Sequence, residues 1–156
     1  MDRGLKIHRS TRTSTVDRDA AEVWSVVAGG GPGSHWYVDA LPFVVRGGID
    51  RAVGGEGRRW PVPGRPLRSG DTAGFWRVSG VEGRTLRLDA DVRSPGRVRL
   101  VTRVREDRSG RCTVSQSVSF EPDGLRGQLY LVADLPAREV VVELAHRRLL
   151  ADLNAA

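Results

Sequence analysis

Four runs decide the fold: TAGFWRVSGV (72–81), RTLRLDADV (84–92), RVRLVTRVRE (97–106) and RCTVSQSVSF (111–120). Each alternates apolar and polar residues, the period of a strand with one buried and one solvated face. The connections, Glu82-Gly83, Ser94-Pro95-Gly96 and Asp107 to Gly110, carry turn residues and are short enough for hairpins. The spacing predicts an antiparallel meander. Trp76, Val78, Leu86, Leu88, Ala90, Val92, Val98, Leu100, Val104, Cys112, Val114, Val118 and Phe120 fall on one face. Arg77, Arg87, Asp89, Asp91, Arg97, Arg99, Arg103, Arg105 and the hydroxyls of Thr113 to Ser119 fall on the other. The second face reads as a solvated lattice of opposite charges, in which an exposed ion pair contributes about 0.2–1 kcal/mol.

The apolar face needs a cover, and the C-terminal residues supply one. Val141, Val142, Leu144, Ala145, Leu149 and Leu153 form a broad apolar stripe opposite Glu139, Glu143, Arg147 and Asp152. Pro136, permitted in a first helical turn, is expected to open this helix, with 124–135 as a helical or turn-like lead-in. A long helix on one face of an antiparallel sheet gives an α+β domain. Upstream, RSTRTSTV (9–16) has the β-branched bias of a further strand. Asp19 is then a natural N-cap with Glu22 three residues on, ahead of Ala20, Val23, Trp24 and Val27 on one helical face. Residues 1–8 are expected to be a flexible N-terminus and 9–154 a single domain.

Composition narrows the function classes. The 156 residues suit one domain large enough to bury its own core. Cys112 is the single cysteine, which excludes an internal disulfide and any multi-cysteine zinc site; its place in an alternating run reads as a packed core thiol. The three histidines are dispersed without metal-ligand spacing, and no metal is expected. The first residues lack the apolar segment of a secretory signal, and no run approaches the roughly 20 residues of a membrane span, so a cytoplasmic protein without a membrane span is expected. The net charge is +6, yet Lys6 is the only lysine among 25 basic residues, and the arginines are scattered among acids. That pattern fits nonspecific polyanion affinity and gives no sign of a specific nucleic-acid reader.

The chemistry-bearing residues gather between Gly29 and Gly55, GGGPGSHWYVDALPFVVRGGIDRAVGG. Glycines bracket His35, Trp36, Tyr37, Asp39, Phe43, Arg46 and Asp50, as in a segment that closes over a pocket. No Gly-Lys-Ser/Thr follows the glycines, and a helix C-cap running into a turn explains them better than a phosphate loop. A short helix is expected over Arg46–Val53, with Ile49 and Val53 on one side and an Arg46–Asp50 ion pair at i, i+4. His35 is either an exposed loop histidine or, oriented by Asp39 four residues on, a general base. Arg46 could hold a carboxylate or enolate oxygen. Residues 56–70 read as a long irregular loop whose Trp60 is poorly suited to water.

On the apolar sheet face, Thr102 and Gln116 break the pattern. A buried unpaired amide costs about 1–3 kcal/mol, so Gln116 either bonds within the core or faces a cavity. Trp36, Tyr37, Phe43, Trp60 and Trp76 read either as core aromatics or as walls that stack on a ligand.

The element order, with Gly30 to Tyr37, Arg46-Gly-Gly-Ile-Asp50-Arg51, Gly54-Gly55-Glu-Gly57, Gly70-Asp71, Phe75-Trp76-Arg77-Val78, Ser94-Pro95-Gly96 and Gly124-Leu-Arg-Gly127-Gln-Leu-Tyr130, resembles the helix-grip fold. START-like lipid-binding domains, plant pathogenesis-related ligand carriers and aromatic polyketide cyclases share that fold. The motifs look like those of a bacterial family of this superfamily, sometimes found fused behind a Rossmann-type nucleotide-binding domain. The likeness covers roughly residues 10–150 and departs from the family's pattern at Pro42-Phe43 and Ala137-Arg138.

The resemblance implies a sheet curled round the C-terminal helix, with a cavity roofed by the segment between the first helix and the second strand. It implies a small hydrophobic ligand, no cofactor, and a monomer or homodimer. Two functions follow. One is a cofactor-independent enzyme that cyclises, dehydrates or isomerises a polyketide-like substrate, with His35, Asp39 and Arg46 as catalytic candidates. The other is a binding or carrier protein. On either reading Trp36, Tyr37, Phe43, Asp50, Trp60, Trp76, Thr102 and Gln116 are the ligand-binding candidates. A histidine or carboxylate facing the cavity would favour the enzyme.

Overall fold

The computed structural model describes residues 8–156, with the backbone alone for 125–135. Six strands form one antiparallel sheet: β1 (His8–Val16), β2 (Thr72–Ala73), β3 (Trp76–Glu82), β4 (Thr85–Ala90), β5 (Gly96–Glu106) and β6 (Cys112–Pro122). Their spatial order is β1-β6-β5-β4-β3-β2, so the first strand lies against the last. The β1–β6 register runs from His8 opposite Phe120 to Val16 opposite Cys112. The helices are α1 (Ala20–Val27), α2 (Trp36–Asp39), α3 (Leu41–Ala52) and α4 (Gly124–Ala155). The sheet curves around α4, which packs on β6 and β1, while α2 and α3 close the remaining side. This is the helix-grip, α+β arrangement.

The two faces of the sheet divide as the alternation predicts. Leu86, Leu88, Leu100, Val104, Cys112, Val114 and Val118 are buried in one cluster with Val142, Ala145, Leu149 and Leu153 of α4. On the outer face, Arg99 donates to both Asp89 oxygens at 2.6 and 3.0 Å, and Arg77 and Arg59 share Asp91. The Asp19 carboxylate caps α1, accepting from the Ala21 amide at 2.7 Å. Trp24 is half-buried beside the core.

Three elements differ from the sequence reading. The run 72–81 is two strands: Ala73 pairs with Trp76, and Gly74-Phe75 form a two-residue hairpin turn. Gly74 sits there at φ +62°, the left-handed conformation that the first turn position demands and glycine supplies. The turn frees Phe75 from the alternation that would place it beside Arg77, and it is buried. Second, α4 begins at Gly124, and Pro136 lies within it. The ring removes one N–H from the helical ladder, but packing of the stripe beyond it on the sheet holds the helix in register, tertiary context overriding local propensity.

Third, α3 begins at Leu41 with Pro42 at its permitted N-terminal position, five residues ahead of the expected start. Phe43, Gly47 and Asp50 are buried, while Ile49 and Val53 are 48% and 57% exposed.

Candidate functional site

A cavity of about 120 Å³ lies between the sheet, α4 and α3. Its described lining is Pro42, Phe43 and Arg46 from α3; Phe75 and Trp76 at the β2–β3 turn; Ala90, Val92 and Ser94 on and after β4; Val98, Val118 and Phe120; and Arg138 and Val141 of α4. Phe43, Phe75 and Trp76 form one wall. Phe43 meets Trp76 edge-on, centroids 5.2 Å apart, and Phe75 lies 4.8 Å from Trp76. The Trp76 indole N–H donates to the Tyr37 carbonyl at 2.7 Å, which fixes the ring and leaves its apolar surface to the cavity.

The polar part of the lining is small. Arg46, partly exposed, donates to the Arg93 carbonyl at 2.6 Å. Arg138 is buried, and its Nε donates to Ser10 Oγ at 3.0 Å. The Ser94 hydroxyl donates to the Gly96 carbonyl at 2.6 Å. Among the described residues, no histidine and no carboxylate lines the cavity.

His35 lies elsewhere. It stacks on Tyr37 with centroids 5.4 Å apart, its Nε2 is 3.0 Å from the Gly31 carbonyl, and it borders a surface hollow with Ser34 and Asp152. Of the two readings of His35, the one in which the Asp39 carboxylate orients its ring is not realised. Asp39 Oδ2 accepts instead from the His35 backbone N–H at 2.7 Å, capping the short helix α2. The His35 ring is engaged by Tyr37 and the Gly31 carbonyl.

Trp36 and Tyr37 belong to the core. The Trp36 indole donates to the Val27 carbonyl at 3.1 Å, and the Tyr37 hydroxyl to the Gly29 carbonyl at 2.6 Å. Burial, with the charge of Asp39, pushes the Tyr37 phenol well above its ordinary range, so it stays protonated. Trp60 lies on the outer side, with the guanidinium groups of Arg59 and Arg77 over its ring at 4.0 and 4.6 Å. Cation–π stacking thus resolves its poor fit to water.

The expected Arg46–Asp50 ion pair is absent. Asp50 is 1% exposed and anchors backbone: Oδ1 accepts from the Arg93 amide at 2.7 Å and Oδ2 from the Gly57 amide at 2.9 Å. Burial alone would raise this carboxyl. The two amides, with Arg46 and Arg93, outweigh that and hold it below its ordinary value. Asp50 ties the end of α3 to the loop and to the segment before β5.

Thr102 and Gln116 are 1% and 0% exposed but do not border the cavity. They belong to a buried polar chain across the sheet–helix interface. Gln116 Nε2 donates to Thr102 Oγ1 at 3.2 Å, and His146 Nδ1 lies 3.2 Å from Gln116 Oε1. His146 Nε2 is 2.8 Å from Ser14 Oγ. With Nδ1 donating to the amide oxygen and Nε2 accepting the serine proton, a neutral imidazole satisfies the whole chain. Burial lowers the His146 pKa, which favours that form. Cys112 is fully buried, and burial pushes its thiol up, away from a nucleophile. Among the described residues, no three His, Cys, Asp or Glu are placed to hold a metal.

A family profile described as "Protein of unknown function (DUF2867)" matches residues 7–145. The chain belongs to the DUF2867 family. The match spans this DUF2867 chain from β1 into α4 and so includes the cavity. No curated protein matches it. Among solved structures, one titled "Crystal structure of Ara h 8.0201" aligns over 94% of this chain and 99% of that chain, with 13% identity and a TM-score of 0.44. Among the described residues of this DUF2867 protein, no helix is long and apolar enough to cross a membrane.

Of the expected site residues, the cavity unites Phe43, Arg46 and Trp76. It adds Phe75 and Arg138, which the sequence reading named within a motif and as a departure from the family pattern but not as site residues. Arg138 was legible in principle: it precedes Val142 by four residues and Ala145 by seven, on the same helical stripe.

Proposed function

We propose that the protein binds a small apolar molecule in the cavity beneath α3 and does not turn it over by acid–base chemistry. The observation that carries this reading is the lining: an aromatic wall and aliphatic side chains, with Arg46, Arg138 and Ser94 as its described polar members. Binding pockets combine apolar walls with a few placed polar groups in this way. General acid–base catalysis needs a titrating group within hydrogen-bond reach of the substrate. His35 borders a separate surface hollow, and Asp39 is not in the lining.

The volume supports a compact ligand. A cavity of about 120 Å³ is of the order of one that takes benzene, about 150 Å³, and below the roughly 300–1,000 Å³ of sites for drug-sized molecules. The alternative is cyclisation, dehydration or isomerisation of a polyketide-like substrate. It would rest on Arg46, the one catalytic candidate in the lining, stabilising developing negative charge, and would require the cavity to widen.

Native mass spectrometry of protein purified from its own host tests the proposal. The expected result is a retained neutral or weakly polar small molecule, released unchanged on denaturation. A chemically converted product released after incubation with a candidate substrate, and lost in Arg46→Gln, would overturn the non-catalytic reading.

A further inference from the structure

Large apolar side chains exposed on the described surface are concentrated in one place. Leu41, Val44, Val45, Ile49 and Val53, 37–63% exposed, all belong to α3 and its C-cap; Val140 is the sixth exposed large hydrophobic and lies on α4. Positions 41, 44, 45, 48, 49 and 52 recur at i, i+3, i+4, i+7, i+8 and i+11, one continuous stripe of an α-helix. The stripe that would ordinarily face a core here faces outward, because Phe43, Gly47 and Asp50 hold the other side down. A contiguous exposed apolar face of this kind marks an interaction surface.

The surroundings indicate the partner. Arg51 is exposed on α3, and Arg93 is exposed beside it; the Arg93 guanidinium donates to the Val53 carbonyl at 3.4 Å and the Arg46 guanidinium to the Arg93 carbonyl at 2.6 Å. The one carboxylate of α3, Asp50, is buried beneath the helix, while the nearby Glu56 pairs with Arg59 and Asp39, just ahead of the helix, with Arg58. An aliphatic face bordered by cations, on a single helix, is the pattern of an interfacial amphipathic helix on an anionic bilayer. A second copy docked through the same face would bring both sets of arginines together, which like-charge repulsion opposes.

We infer that α3 is a peripheral docking element for anionic lipid surfaces, seating Leu41, Val45 and Ile49 among the acyl chains and Arg51 and Arg93 at the headgroups. Because Pro42, Phe43 and Arg46 of the same helix line the cavity, docking sets one wall of the cavity against the bilayer. The docking itself does not depend on the ligand-binding reading, and its test uses no ligand.

The test is co-sedimentation of the full chain with vesicles of phosphatidylcholine alone and with about a third phosphatidylserine, at physiological salt. The expected result is binding to the anionic vesicles. The double variant Val45→Ser/Ile49→Ser, which alters exposed side chains only, should reduce partitioning about tenfold or more at unchanged melting temperature, from the apolar area withheld. Arg51→Gln/Arg93→Gln should weaken binding and flatten its salt dependence. Three results would each overturn the inference: no binding to anionic vesicles; binding unchanged in Val45→Ser/Ile49→Ser, which would mean electrostatic adsorption by other arginines; or a dimer in solution that this variant dissociates, which would give the face to a second copy.

Discussion

Replacing Asp50 by Asn tests whether α3 is held from below by a buried, ionised anchor. The carboxylate accepts the Arg93 and Gly57 amides on separate oxygens at 2.7 and 2.9 Å, and the Asp50 carbonyl accepts the Gly55 amide at 2.7 Å. An asparagine can accept one side-chain bond but must turn its NH2 toward the other amide, donor against donor. A hydrogen bond to a charged group contributes about 1.5–3 kcal/mol, and a buried amide left unsatisfied costs about 1–3 kcal/mol. Relief of the carboxylate's desolvation offsets part of this, so a loss of about 2–4 kcal/mol is expected.

For a chain of this length that corresponds to roughly 5–15 °C in Tm, read by urea and thermal unfolding at pH 7. The pH dependence carries a second signature. The folded-state pKa of Asp50 lies below its unfolded value. The stabilisation is therefore present above the ordinary carboxylate range and is lost as pH falls through the depressed folded value. Wild type loses it on acidification and Asp50→Asn has none to lose, so the gap between them should narrow toward low pH. A gap under about 0.5 kcal/mol at pH 7, within the range of inert surface changes, would refute the anchor.

Gly55→Ala should act on the same anchor, because a Cβ there would run into the Asp50 carboxylate. A loss of about 1–3 kcal/mol is expected, with the Asp50→Asn/Gly55→Ala double variant less destabilised than the sum, as measured by urea unfolding. The buried His146 should make stability fall as pH drops. Its folded-state pKa is lowered, so the unfolded chain takes up a proton first, and stability declines from about pH 6.5 down to the folded value. Urea unfolding between pH 7.5 and 5 should show this decline, and His146→Gln should lack that component.

Much of the architecture was legible because period-2 alternation is strong over β3 to β6 and the α4 stripe has one obvious surface to cover. What the pattern could not show was backbone reversal without a polar loop. Gly74-Phe75 sits within a run rich in strand formers, so the strand read straight through the turn although the adjacent Phe75-Trp76 breaks its alternation. The α3 stripe left its direction open for a related reason: periodicity reports which residues share a face, not which way that face points. Burial of Phe43 and Asp50 turned it outward.

The cavity was only partly legible for a chemical reason. His35 and Asp39 have the spacing of a helical pair, but Asp39 caps the very helix that spacing presupposes. Gln116 and Thr102 were rightly picked out as polar groups on the inner face. The partner that satisfies them, His146, comes from α4 thirty residues beyond Gln116, and such pairing is invisible in a linear sequence.

The central claim is that the space beneath α3 is a ligand cavity with apolar walls. Titration of methyl-labelled protein with toluene, a benzene-sized apolar probe, tests it most directly by NMR. The expected result is saturable shifts at Val92, Val98, Val118 and Val141, which line that space, and their loss in Val98→Phe, which fills it. Shifts that do not saturate, or that persist unchanged in Val98→Phe, would contradict it.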